Sequence, residues 1–303
     1  MKRIYFIYNL VSGKATLRSH LAHVIDLCTK AGYEVTCRST QARHDASAAA
    51  EYACLQKYDM ILCSGGDGTL NEVIQGIMLS GVKDIPLGYI PTGSTNDFSR
   101  GLGVPPTIDA AANWTLSGER FACDIGQFNG RNFIYVAAFG AFVDVTYETS
   151  QNVKNILGHG AYLLNGLSKL KTIRAYQMKI EYDDNVIEGE FIFGMVTNTS
   201  SVAGILSLND FQLDDGLFEV ALIYKPQSIV DLQRLVSSLL NLKQDVDTKY
   251  LKTFRASSVK FTAENEVSWT VDGEDGGTLK YAEVNNLNKA ITFAVGKHKY
   301  KPA

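Results

Sequence analysis

Apolar and polar positions follow two rhythms along this chain. Up to about residue 120, short apolar runs alternate with stretches of helical period. Residues 4–8 form a continuous apolar run, as in a strand covered on both faces. Leu17, Leu21, Val24, Ile25 and Cys28 then recur at helical spacing over 17–31, and Gly32 reads as the C-cap. Residues 33–39 alternate as a strand. Asp45 reads as the cap of an alanine-rich helix ending near Gln56, and 60–63 is another buried strand. A helix over 69–79, a strand over 85–90 and a helix over 107–116 continue the alternation. Strands separated by helices pair in parallel and are covered on both faces.

Beyond about Arg120 short strand-like runs dominate, at 121–128, 133–138, 175–182, 186–197, 217–223, 257–262 and 267–271. Turn residues punctuate them: Asn129-Gly130, Asp183-Asp184-Asn185 and Asp214-Asp215-Gly216. This predicts an antiparallel sandwich or barrel. Two helical patterns, 156–170 and 229–242, interrupt it. No long linker, repeat or low-complexity tract separates the halves. The fold class is therefore α/β plus β: an open α/β domain followed by an antiparallel β-sandwich domain.

Composition narrows the function classes. The chain has 303 residues, 46% hydrophobic and 20% charged, which suits about two globular domains. A net charge of −3 supplies no positive field, so nucleic acid is not an expected partner. No apolar run approaches the roughly 18 residues of a spanning helix. The basic start followed by apolar residues ends at Asn9 and reads as a first strand rather than a leader. Five widely spaced cysteines (Cys28, Cys37, Cys54, Cys63, Cys123) without a Cys-x-x-Cys pair favour buried thiols in a reducing cytoplasm.

The 26 glycines are an ordinary number, but several fall in short clusters after predicted strands. Ser64-Gly65-Gly66-Asp67-Gly68-Thr69-Leu70-Asn71-Glu72 follows a strand and opens a helix. Glycine lets backbone amides approach a ligand, and a helix N-terminus suits phosphate. Asp67 would repel phosphate unless a cation such as Mg²⁺ lay between. Pro91-Thr92-Gly93-Ser94-Thr95-Asn96-Asp97-Phe98 and Asn9-Leu10-Val11-Ser12-Gly13-Lys14 also follow strands. Alone, the first of these could be an Asx or Ser/Thr turn with an N-cap or a ligand loop, while the second reads as structural. In an open parallel sheet the carboxyl ends of strands share one ligand-binding edge, so the three loops should converge. No Gly-x-Gly-x-x-Gly follows a strand, which weakens a Rossmann dehydrogenase reading. Two acidic turns lie in the second half. Asp214-Asp215-Gly216 suits a hairpin or a hard cation, and Asp272-Gly273-Glu274 suits a hairpin or a general base.

In order and spacing, Gly65–Thr69 with Asn71-Glu72, Gly93 to Arg100, Asn9 with Ser12-Gly13, the Asp-Asp-Gly at 214–216 and Asp272-Gly273-Glu274 resemble the diacylglycerol kinase catalytic family. Sphingosine kinases and NAD kinases are related to it. The resemblance implies an ATP:lipid phosphotransferase with diacylglycerol as the leading acceptor. It implies that Asn9, Leu10, Val11, Ser12, Gly13, Thr40, Gly65, Gly66, Asp67, Gly68, Thr69, Leu70, Asn71, Thr92 and Ser94 cradle ATP. It implies Glu274 as general base, and Asp67, Asp97 and Asp124 as a network holding catalytic Mg²⁺ and its waters. Asp215, with the carbonyls of Gln212 and Leu217, resembles a structural Mg²⁺ site. The family plan carries the chain back to the first domain, giving an ATP domain of 1–123 with 287–303 and a lipid-acceptor domain of 124–286. Leu10, His44 and Ser94-Thr95 depart from the family's usual Pro, Gly and Thr-Gly.

A kinase acting on a bilayer lipid must touch the inner face of the membrane peripherally. Lys154, Lys169, Lys171 and Arg174 are candidates for that contact, against a simple solvated face. Relatives suggest a homodimer. Two alternatives stand beside the diacylglycerol reading: a kinase of this superfold acting on another lipid or on NAD, and a non-catalytic nucleotide-binding regulator.

Overall fold

The structure, a computed structural model, describes residues 1–94, 96–140, 174–198, 201–202, 206–207, 212–228, 230–231 and 249–296. It divides into two compact units. One comprises Met1–Ile125, Gln212–Gly216 and Leu287–Ala303; the other comprises Gly126–Phe211 and Leu217–Asn286. The expected helix at 156–170 and Lys154, Lys169 and Lys171 lie outside the described residues, as does most of the expected helix at 229–242.

The first unit alternates β1 (Lys2–Tyr8), α1 (Leu17–Lys30), β2 (Tyr33–Ser39), α2 (Asp45–Leu55), β3 (Met60–Gly65), α3 (Asp67–Ser80), β4 (Leu87–Pro91), α4 (Asp97–Gly101) and α5 (Ile108–Leu116). β1 pairs in parallel with β2 and β3, and β3 with β4. β3 and β4 are buried along their whole length, as continuous apolar runs in a covered parallel sheet should be. α2 and α3 approach closely because Gly76 lacks a side chain: a Cβ there would lie 2.1 Å from the Ser47 carbonyl oxygen. Thr107 caps α5, its hydroxyl accepting the Ala110 amide.

Asp45 does not cap its own helix. Its carboxylate reaches back to the amides of Gln41 and Ala42, at 2.7 and 3.1 Å. The first turn of α2 is served from outside: Glu72 on α3 accepts the amides of His44 and Ala46 at 3.0 and 3.2 Å. His44 at the N-cap is left-handed, with φ 69, which explains why glycine suits this position. Four cysteines are buried, but Cys37 is exposed, contrary to expectation. It sits on β2, the last strand in the order, where alternate side chains face outward.

The second unit is antiparallel. The chain enters it along β5 (Glu119–Phe128) and continues through β6 (Arg131–Phe133), β7 (Val136–Gly140), β8 (Tyr176–Tyr182) and β9 (Asn185–Thr197). β10 (Ser201–Val202) pairs with β11 (Leu206–Ser207). β12 (Phe218–Tyr224), β13 (Leu251–Ala256) and β14 (Ser258–Val271) follow, and β15 (Glu274–Val295) leads back to the first unit. There its Phe293 pairs in parallel with Leu87 of β4. β7 and β8 lie end to end between the long strands β9 and β14, each pairing with both. Aromatic residues fill the core, with the Phe139 and Phe261 rings 4.9 and 5.0 Å from Trp269.

Three expectations change here. The run at 133–138 is two strands, because the carboxylate of Asp272 takes the amides of Ile134, Tyr135 and Val136. The runs at 257–262 and 267–271 are one strand, β14, with an irregularity in register between Thr262 and Val267. β13 was not foreseen, since half of Leu251–Ala256 is polar and exposed (Lys252, Thr253 and Arg255).

Candidate active site

Three loops leave the carboxyl ends of β1, β3 and β4, which are consecutive neighbours in the first unit. Hydrogen bonds tie them together. Asn9 donates its amide to the Ser64 carbonyl at 2.9 Å, and Thr92 donates to the Gly65 carbonyl at 2.8 Å. Asn9 Oδ1 accepts the Val11 amide at 3.0 Å, shaping the first loop, and the Leu10 carbonyl accepts Arg18 Nε. Thr40 at the end of β2 donates its amide to the Tyr8 carbonyl at 3.0 Å.

The glycines mark where the loops meet. Gly13 is left-handed, and a Cβ there would lie 2.4 Å from the Thr92 carbonyl oxygen. A Cβ on Gly93 would lie 2.5 Å from Gly66 Cα, and one on Gly66 would lie 3.5 Å from Ser12 Oγ. Asn96 fixes Gly93 from both sides, accepting its amide and donating to its carbonyl, each at 2.9 Å. All three loops thus converge at the start of α3. Gly66, the N-cap, has no side chain to serve the first-turn amides, and a Cβ on Gly68 would face open space. Unserved amides at a helix start are an anion site.

Asp67 opens α3. Its Oδ2 accepts the Asp97 amide at 3.1 Å, while its Oδ1 is buried without a hydrogen-bond partner. Burial pushes the Asp67 carboxyl above its ordinary range, and the neighbouring charge of Asp97 adds to this, against hydrogen bonds from the Asp97, Phe98 and Asn96 amides. An anionic oxygen lacking a donor suits a hard cation or its water, so the residues fit Mg²⁺. Asp97 itself pairs with Arg100 at 3.4 Å. Among the described residues, no group of three or more His, Cys, Asp or Glu side chains is arranged to hold a metal.

Other predicted residues have different surroundings. Thr92 is buried with its hydroxyl 3.5 Å from Ser64 Oγ, whereas Ser94 is exposed. Leu70 belongs to the core, and buried Asn71 accepts from Gln75 Nε2 at 3.1 Å. The Thr69 side chain fills the space beside Gly65. Asp124 is fully buried. Its carboxylate accepts the amides of Gly216 at 2.6 Å and Lys289 at 2.7 Å and the Asn288 side-chain amide at 2.9 Å. These bonds tie Asp124 to the turn that carries Asp215 and to the returning strand. The Leu213 carbonyl, on the same turn after Gln212, accepts the Asp124 amide at 2.7 Å.

In the second unit, Asp272 and Gly273 are both left-handed, with φ 50 and +79, as in a two-residue hairpin turn between β14 and β15. The Asp272 carboxylate accepts three backbone amides at 2.8–2.9 Å. Two residues on, Glu274 pairs with the guanidinium of Arg131. Sequence reasoning missed Arg131 because it lies 143 residues away in the chain and in no motif. It also missed the capping role of Glu72, although the motif contains that residue. A separate cleft of about 590 Å³, lined by residues including Glu190, Tyr224, Lys225 and Lys249, contains no predicted site residue.

Comparison with known proteins follows this architecture. Residues 3–128 match the diacylglycerol kinase catalytic domain, and residues 137–294 match the YegS C-terminal NAD kinase beta sandwich-like domain. A diacylglycerol kinase of Bacillus subtilis (strain 168) is 37% identical over 302 residues, covering 99% of this chain and 98% of that protein. A diacylglycerol kinase of Staphylococcus aureus (strain Newman) is 36% identical over 96% of this chain and 91% of its own. One solved structure from Bacillus anthracis str. Sterne superposes with a TM-score of 0.80 at 25% identity, covering 98% of this chain and 96% of that one. Another, a diacylglycerol kinase from the same organism, shares the fold at a TM-score of 0.76 and 23% identity, over 98% and 97% of the two chains.

The matches define a two-domain kinase whose second domain is of the NAD kinase β-sandwich kind. Within that class, the chain belongs to the diacylglycerol kinase catalytic-domain family.

Proposed function

We propose that this chain transfers the γ-phosphoryl group of ATP to the hydroxyl of diacylglycerol, giving phosphatidic acid. The observation that carries the reading is the convergence of the Gly13, Gly66 and Gly93 loops on the start of α3, beside the partnerless Asp67 Oδ1. Backbone amides of α3's first turn bind and orient the phosphates. Asp67, with Asp97 nearby, would hold Mg²⁺, which would supply charge neutralisation during the transfer. Glu274 accepts the proton of the attacking hydroxyl. Asp215, with the carbonyls of Gln212 and Leu217, would hold a second, structural Mg²⁺. The names of the relatives support a lipid acceptor rather than NAD.

The reading places the enzyme in the cytoplasm, at the inner membrane face. No helix among the described residues is long and apolar enough to cross a membrane. Arg174 is exposed, its guanidinium 5.4 Å from the centroid of the buried Tyr176 ring, and its charge is available to an anionic headgroup layer.

The test is transfer of labelled phosphate from ATP to a panel of lipids and NAD, with Mg²⁺ varied. Label in phosphatidic acid is expected, label in NAD overturns the lipid assignment, and ATP binding without transfer to any acceptor supports a regulator. Glu274→Gln should cut transfer to a small residual rate while ATP still binds. Full activity in that variant removes Glu274 as the base.

A further inference from the structure

We propose that Arg131 is the positioning residue of the phosphoryl-transfer base, an inference that rests on Glu274 having that role. One guanidinium nitrogen of Arg131 donates to Glu274 Oε2, and the other donates to the Asp275 carbonyl at 2.9 Å. Arg131 therefore grips both the side chain of Glu274 and the backbone just after it.

The grip extends along a single segment. Arg131 pairs with Phe128 across the Asn129-Gly130 turn, whose left-handed residues (φ 45 and 86) give a tight hairpin. Asn129 docks this hairpin on β15, accepting the Glu283 amide at 2.7 Å and donating its own amide to the Glu283 carbonyl at 2.9 Å. Just after Arg131, the amides of Ile134, Tyr135 and Val136 hold the Asp272 carboxylate. The Asp272 amide returns a bond to the Val136 carbonyl at 2.8 Å. One segment thus fixes the chain before, at and after Glu274.

Fold stability does not account for the arrangement. Side-chain exposures of 39% for Arg131 and 46% for Glu274 put the ion pair in solvent, where such pairs contribute little to folding. Its consequence is geometric. A glutamate has three side-chain torsions, and fixing them before reaction removes an orientational cost from the barrier. The planar, two-pronged guanidinium can meet a carboxylate and a neighbouring carbonyl together, whereas lysine offers one mobile point charge.

The experiment compares Arg131→Ala, Arg131→Lys, Glu274→Gln and the Arg131→Ala/Glu274→Gln double variant, measuring kcat, KM for ATP and melting temperature. Arg131→Ala should lose about 10–100-fold in kcat, the scale of a misplaced catalytic group, with KM for ATP and melting temperature unchanged. Arg131→Lys should recover part of the loss. Free guanidinium ion, at concentrations too low to unfold the protein, should restore turnover to Arg131→Ala. The double variant should retain the residual turnover of Glu274→Gln, since Arg131 acts through Glu274. Wild-type kcat in Arg131→Ala while Glu274→Gln is inactive overturns the positioning role alone. So does a double variant that falls by the full Arg131→Ala factor below Glu274→Gln. Full activity of Glu274→Gln overturns the base assignment and this inference together.

Discussion

Asp67→Asn should yield a protein that is more stable than the wild type without ligand, yet inactive. The wild-type Oδ1 is buried with no donor, and burial raises the carboxyl's pKa from its ordinary value of 3.8. A buried polar atom left unpaired costs about 1–3 kcal/mol. Asparagine keeps an oxygen for the Asp97 amide, and its Nδ2 is as unpaired as Oδ1 was, so removing the buried charge is what stabilises: a gain of about 1 kcal/mol is expected near neutral pH, or roughly 2–4 °C in melting temperature. Because the folded pKa is raised, the native state holds this proton more tightly than the unfolded chain. The proton's contribution to stability is complete below about 3.8 and is lost as pH rises through the folded value. The variant's advantage should therefore open above about pH 3.8 and become constant once pH exceeds the raised pKa. Melting curves from about pH 4 to about pH 8 measure it. Adding Mg-ATP should reverse the order, since a ligand at 100 times its Kd stabilises by about 2.7 kcal/mol and only the wild type retains the magnesium ligand. A gap independent of pH, or equal stabilisation of both proteins by Mg-ATP, would refute the reasoning.

Gly93→Ala puts a methyl group 2.5 Å from Gly66 Cα and 2.7 Å from Asn96 Oδ1. It should cost about 1–3 kcal/mol in unfolding experiments and weaken ATP binding, and unchanged ATP affinity would remove the loop contact from the site. Asp272→Ala strips the acceptor from three backbone amides. With charge-assisted bonds worth roughly 1.5–3 kcal/mol each, a loss of at least about 3 kcal/mol in denaturant unfolding is expected, and a loss below about 1 kcal/mol would contradict it. Bonds from the Gln41 and Ala42 amides lower the pKa of Asp45 from 3.8, so its contribution is present above that value and lost as pH falls through the folded pKa. Asp45→Ala should melt below the wild type at neutral pH, with the difference closing in strong acid; a difference that persists there would assign Asp45 a role unrelated to its charge.

The first unit was readable because its signals are local. Continuous apolar runs marked β3 and β4, and strand–helix alternation placed three glycine clusters on one sheet edge. The strand order makes β4, β3 and β1 immediate neighbours, which the sequence does not state but parallel winding favours. What was missed is non-local. The break between β6 and β7 is imposed by Asp272, 136–138 residues away. The start of α2 is served by Glu72 from the next helix, while Asp45, the residue that read as its cap, holds the preceding loop. A cap motif shows which residue can accept an amide; only the packed chain shows whose amide it accepts.

The same limit applies to the acidic residues, which look alike in sequence and differ in what the backbone gives them. Asp124 and Asp272 each receive three N–H donors, so their negative charge is spent on holding chain segments together. Asp67 also receives backbone amides, but its Oδ1 is left without a hydrogen-bond partner. Glu274 is oriented by a side chain and lies at the surface. A carboxylate fully engaged by backbone amides is costly to move and poorly placed to exchange a proton or a metal. One that is half engaged keeps an oxygen for chemistry and pays in stability for doing so. On that criterion Asp67, rather than Asp124, is the acid of the first unit that keeps an oxygen without a hydrogen-bond partner. Asp124 instead anchors the turn that carries Asp215, because its partner Gly216 directly follows that residue.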